Sequence, residues 1–205
     1  GNSFQKFLTN IEDESLAGLS ENDRLALEAT GVREPYVPPP LPKPKGPGRT
    51  WSVAEVMAAT EAGLAPGTRS FAKGKQAFAA ARCIVCHRFD GDGGATGPDL
   101  TQAGGRFQVK DMVEAIVEPS RAVSDQYRAS ILELTNGKVI TGRIVAEAAE
   151  SVTVVVDPET AANSVELARG DIEAIAASPT SLMPAGLLDQ LNEEEVLDLL
   201  AYTLS

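Results

Sequence analysis

Apolar positions recur at helical spacing over most of the chain and at strand spacing in one block. Phe4, Phe7, Leu8 and Ile11 predict a first short helix. A second follows Ser20, with Asp23 three residues on and Leu25 and Leu27 beyond. Ser52 and Glu55 mark the start of another helix, with Trp51 and Val56 as its hydrophobic staple and Gly63 and Pro66 as its end. A helix is expected from about Ser70 to Arg82, and one from Lys110 to Glu118 with Met112, Val113, Ile116 and Val117 on its apolar side and Pro119 as its stop. From Ser130 to Ile175 the period changes. Runs rich in Val, Ile and Thr predict strands at Ile131–Thr135, Val139–Ala146, Val152–Val156, Val165–Leu167 and Ile172–Ile175, the first two joined by the hairpin signal Asn136-Gly137. Tight turns between such short strands predict a small antiparallel sheet or barrel. Helix returns after Asn192, with Glu195 at the capping-box position and Val196, Leu197, Leu199, Leu200 and Leu204 on the buried side.

Composition adds the boundaries. Residues 35–48 carry seven of the thirteen prolines, which favours an extended polyproline spacer over a helix or strand. The chain is therefore read as an N-terminal helical segment at 1–34, a Pro-rich linker at 35–50 and a domain at 51–205 with a β-rich insertion at about 130–176. Residues 88–108 are glycine-rich, aperiodic and loop-like. No run approaches the roughly 20 apolar residues of a membrane span, and no basic leader followed by an apolar run opens the sequence. A net charge of -11 argues against nucleic acid as a partner.

The chain has two cysteines and one histidine, all inside Cys83-Ile84-Val85-Cys86-His87. No other thiol remains for a disulfide framework. Two thiols at this spacing followed by an imidazole form the attachment signal for a c-type haem: the thiols meet the two vinyl groups and the imidazole reaches the iron. A structural zinc site wants four ligands where three exist. A redox dithiol would follow a strand in a βαβ unit, whereas this pair ends a helix before a glycine-rich loop. A chance pairing of cysteines beside a core histidine is the remaining alternative. With one histidine, bis-histidine ligation within the chain is impossible, so the sixth iron position belongs to methionine, a weaker group, water or nothing.

The residues around this motif resemble class I cytochromes c. Gly74-Lys75-Gln76-Ala77-Phe78 resembles the family's N-terminal helix, where glycine lets two helices cross closely; Leu199-Leu200-Ala201-Tyr202 resembles its C-terminal helix. Gly97-Pro98-Asp99-Leu100 resembles the loop whose proline carbonyl, here that of Pro98, accepts a hydrogen bond from the proximal histidine. Gly105-Arg106 resembles the site of an arginine near a haem propionate, which would be Arg106. From Trp51 onward the chain also resembles the haem-binding domain at the C-terminus of large planctomycete-type proteins, through Trp51-Ser52-Val53, Gly97-Pro98-Asp99-Leu100-Thr101 and Ser181-Leu182-Met183-Pro184. The resemblance implies a mainly α cytochrome c fold with a small antiparallel β insertion, one covalent haem c and its iron, assembly in the periplasm or another extracytoplasmic space, and often a dehydrogenase fused upstream.

Met57 and Met112 lie on amphipathic helices and read as core residues. Met183 stands in a loop bracketed by Pro179 and Pro184, which favours it as distal ligand opposite His87. The resulting expectation is a one-electron carrier rather than an enzyme, serving a redox partner such as a dehydrogenase or a basic acceptor. Two other readings stand beside it: an open-site haem sensor or peroxidase-like protein, if Met183 does not bind, and a docking module built on the β insertion.

Overall fold

The computed structural model describes residues 18–29, 40–65, 67–159 and 164–205. The helix expected around residues 4–11, the start of the proline-rich run and the stop at position 66 lie outside the described residues. The chain divides into two units, Gly1–Pro40 and Leu41–Ser205. In the first, helix α1 (Glu21–Ala29) opens on Ser20, whose hydroxyl accepts the Asp23 N–H at 3.2 Å and donates to the Asp23 carboxylate at 2.6 Å.

The second unit is α+β, as the sequence pattern predicts. Helices α2 (Val53–Gly63), α3 (Phe71–Ala80), α5 (Val109–Val117) and α6 (Glu193–Thr203) surround one core, in which Val56, Phe78, Val113, Val196, Leu199 and Leu200 are fully or almost fully buried. Removing a side chain the size of Phe78 from water stabilises the fold by about 1.5–3 kcal/mol. Trp51 anchors the entrance to α2: its indole N–H donates to the Leu191 carbonyl at 3.3 Å, and the Arg49 guanidinium lies 3.9 Å from the ring centroid.

Helices α3 and α6 cross at Gly74, where a β-carbon would meet the Asp198 carbonyl and the Tyr202 side chain. Glycine is what lets the two backbones come this close. Beside the crossing, Phe71, Phe78 and Phe89 gather around Tyr202 with ring centroids 4.7, 5.6 and 4.2 Å away. The segment before Trp51 lies on the start of α6: the Lys45 and Gly46 N–H groups donate to Glu195 at 2.7 and 3.3 Å, and the Asn192 amide donates to the Gly46 carbonyl at 3.0 Å.

Strands β3 (Ser130–Leu134), β4 (Val139–Glu147), β5 (Ser151–Val155), β6 (Ser164–Ala168) and β7 (Ile172–Ala177) form one antiparallel sheet in the order β6-β5-β4-β3-β7. Four strands run as a meander, and β7 returns through a 3-10 turn at Arg169–Asp171 to pair with β3. Alternation puts Leu132, Leu134, Val152, Val154 and Leu167 into a core of their own. The Asn136-Gly137 turn closes as expected, with Gly137 at φ 80° and the Asn136 side chain accepting the Lys138 N–H at 3.0 Å. The glycine-rich loop holds more structure than its composition predicts. Strands β1 (Arg88–Phe89) and β2 (Asp92–Gly93) form a minimal hairpin around Asp90 and Gly91, both at positive φ, and a 3-10 turn follows at Ala103–Gly105.

Candidate functional site

The helix expected to run to Arg82 ends earlier, at Ala80. Arg82 then takes a left-handed conformation (φ 65°), and the motif starts a separate turn, α4 (Cys83–Cys86). A non-glycine residue at positive φ costs on the order of 1–3 kcal/mol. That break re-aims the chain, so that Cys83 points into the helical core while Cys86 and His87 lie half-buried at its edge.

His87 Nδ1 lies 2.9 Å from the Pro98 carbonyl oxygen. A carbonyl can only accept, so Nδ1 carries the proton and Nε2 keeps its lone pair. Gly97 sits against the ring: a β-carbon there would lie 2.8 Å from Cε1, 2.9 Å from Nδ1 and 3.1 Å from Nε2. Burial pushes the His87 pKa down, with the Pro98 hydrogen bond opposing it, so the neutral imidazole is favoured. Burial likewise pushes the Cys83 thiol up to about 12. Cys86 is also raised, by burial first and then by the Glu159 and Asp157 carboxylates, against the neighbouring Thr96 hydroxyl and the charge of Arg82.

The Cys86 neighbourhood contains residues that no motif announces. The turn after β5 reaches back to the motif: the Pro158 carbonyl accepts from Cys86 Sγ at 3.3 Å and from Thr96 Oγ1 at 2.6 Å. Glu159 takes the Arg82 guanidinium in a two-point contact, Nε at 3.2 Å and Nη2 at 2.6 Å. These partners lie 62 to 77 positions apart in sequence, and local pattern carries no signal for them.

Met183 is half-buried and packs against the helical core that includes Cys83. Its loop is pinned at several points: Ser178 N–H to the Ala129 carbonyl at 2.8 Å, Ser181 N–H to Ser120 Oγ at 3.0 Å, and Met183 N–H to Ser181 Oγ at 3.1 Å. Met112 is buried in the same core, and Met57 packs against it. Arg106 is exposed, and its N–H closes the 3-10 turn on the Ala103 carbonyl at 3.0 Å. An open groove of about 530 Å³ lies elsewhere, between α2 and the start of α6. Its Arg49 and Arg69 are paired with Glu55 and Glu194, and neither thiol, imidazole nor thioether lines it.

The chemistry of the motif fits a covalently held haem: two thiols three positions apart, then an imidazole held with one nitrogen bare. The family model described as Cytochrome c matches residues 71–133, from the start of α3 through the motif, Pro98 and Arg106 to β3. No curated protein sequence matches the chain. Residues 71–133 therefore form a cytochrome c domain, a domain that implies haem-based electron transfer, and Cys83 and Cys86 are consistent with one covalent haem c. The matched segment ends upstream of Met183.

Proposed function

We propose that this protein is a one-electron carrier in which His87 and Met183 are the axial ligands of a haem held by Cys83 and Cys86. The observation that carries the reading is the His87 Nδ1 contact to Pro98, which leaves Nε2 as the ligating nitrogen of an imidazole fixed immediately after the two thiols. When bound, the haem supplies a ferric/ferrous couple that gains and loses one electron. The chain's own residues do the rest. Pro98 holds the His87 tautomer and strengthens its donation, and Gly97 allows the loop to lie flat on the ring. The pinned loop from Ser178 to Met183 presents a thioether on a stiff support, and thioether opposite imidazole favours the ferrous state relative to two imidazoles. Arg106, exposed on the turn after the Pro98 loop, is assigned to a haem propionate by its charge and by the resemblance.

The haem domain spans residues 51–205, with a β insertion at about 130–176, and the 35–50 segment before it is a linker whose Lys45 and Gly46 rest on the start of α6. The donor is a dehydrogenase, fused or separate. Haem attachment takes place outside the cytoplasm, the general habit of c-type cytochromes; among the described residues no helix is long and apolar enough to cross a membrane.

The test is spectroscopic. Haem is expected to stay with the polypeptide through acid-acetone extraction and a denaturing gel, and the ferric protein to show the weak near-infrared band of methionine-to-iron charge transfer. Met183→Ala should abolish the band. Its loss in Met112→Ala instead would move the ligand to α5, and its absence from the unsubstituted protein would favour an open iron position.

A further inference from the structure

We propose that the turn Asp157-Pro158-Glu159 of the β insertion is a wall of the haem site, clasped to the motif by Arg82, which keeps water from the Cys86 side of the haem. The inference rests on the haem reading above and adds residues outside the attachment motif and its proximal loop to the machinery. All three residues of the turn are engaged. The Pro158 carbonyl accepts from Thr96 Oγ1 and lies 3.3 Å from Cys86 Sγ, whose S–H is given up when a thioether forms; Glu159 grips Arg82 at two points, and the Asp157 carboxylate accepts the Glu159 N–H at 2.9 Å, holding the turn's shape.

The backbone of Arg82 is a separate observation. A left-handed residue directly before Cys83 would be glycine if only a chain reversal were needed, since glycine adopts that conformation without a steric cost. An arginine there endures the cost, and its side chain goes to the insertion. Strain retained beside a functional site points to a task for that side chain. Here the task is to hold the insertion against the motif.

A haem bonded to Cys86 has one edge at that sulfur, so whatever covers the sulfur also covers the edge. Water at a haem edge favours the more highly charged ferric state, because the ion is better solvated. Shielding by the turn therefore raises the reduction potential, and opening it lowers the potential. The Arg82 and Glu159 side chains are about half exposed (46% and 48%), so their pair is a weak clasp, released without unfolding either core.

The test compares holoprotein variants Glu159→Gln and Arg82→Gln with the exchanged pair Arg82→Glu/Glu159→Arg. Removing the carboxylate would by charge alone raise the potential, and removing the guanidinium would by charge alone lower it. If the clasp governs water access, both single variants shift the potential downward. Both also enlarge the solvent-perturbation difference spectrum of the haem and speed amide exchange around Thr96 and Gly97 by up to about fivefold, the limit for an exposed pair. The exchanged pair restores all three readouts. Opposite shifts of potential in the two single variants, with unchanged solvent perturbation and exchange, would overturn the proposal and leave only a local charge effect. A pyridine haemochrome measurement on each variant separates this outcome from failure of the haem reading, which would show as loss of covalent haem from every sample, the unsubstituted protein included.

Discussion

Gly97 leaves the His87 ring no neighbour to spare, since any β-carbon would press within 3.1 Å of three ring atoms. Gly97→Ala is expected to tilt the imidazole off the Pro98 carbonyl and to cost about 1–3 kcal/mol, as overpacking of a tight site does. Denaturant unfolding of the holoprotein checks the stability, and a shifted visible spectrum reports the tilt. The two thiols differ as clearly. Cys83 is buried, with its thiol pushed up to about 12, while Cys86 is half-buried. In the unloaded folded chain, alkylation at neutral pH should label Cys86 first. Burial disfavours the thiolate, so labelling of Cys83 should go on increasing until the pH nears about 12. Equal rates at neutral pH would contradict this placement. Much of this chemistry was legible at residue scale, because a haem attachment demands fixed types at fixed offsets. Cys83, Cys86 and His87 stand within five positions, and Pro98 follows in a recognisable loop. Arg82, Thr96, Pro158 and Glu159 were not legible: three common polar residues and a proline signal nothing until the insertion folds back on the motif.

Helix starts were read well because their chemistry is local. Ser52 with Glu55 and Asn192 with Glu195 form complete capping boxes, each side chain satisfying a backbone N–H three residues away. Asn192 does more than cap, since its amide also donates to the Gly46 carbonyl. Asn192→Ala should therefore cost more than the typical cap loss of about 1 kcal/mol, and Asn192→Asp, which keeps the cap but loses that donor, should cost less than Asn192→Ala. Thermal or denaturant midpoints followed by haem absorbance would rank the two. At the α3–α6 crossing, Gly74→Ala sets a methyl group against the Asp198 carbonyl and Tyr202, and an expected loss of about 1–3 kcal/mol follows. Strands were legible from their two-residue alternation and the Asn136-Gly137 turn. The β1–β2 hairpin was missed because two-residue strands are too short to show a period, although Asp90-Gly91 carries the same turn chemistry. The end of α3 was placed two residues late, since nothing local marks Arg82 as left-handed.

At the scale of the whole molecule, the charge of -11 becomes larger in magnitude when a haem brings two propionates, a field that favours encounter with basic molecules in solution. The sequence puts Glu193, Glu194 and Glu195 together at the start of α6, a helix N-terminus that suits carboxylates. Their surroundings divide the labour. Glu195 completes the Asn192 capping box and accepts from the Lys45 and Gly46 backbone, so it belongs to the fold. Glu194 pairs with Arg69 at 2.7 Å and Glu193 with Arg49 at 3.8 Å, and both carboxylates remain largely exposed. Exposed pairs of this kind add little stability, and their fields are screened over about 8 Å at physiological salt. Electron transfer to a basic acceptor is expected to slow as ionic strength rises. Glu193→Gln/Glu194→Gln should flatten that slope slightly without loss of stability, because the remaining net charge is spread over the molecule. Adding Glu195→Gln should lower stability while changing the slope no more than one further charge would. Stopped-flow rates against salt, with stability measured on the same variants, separate the two roles. A rate indifferent to salt across several basic acceptors would assign the negative charge to solubility and favour a tethered donor, for which the linker's effective concentration replaces electrostatic steering.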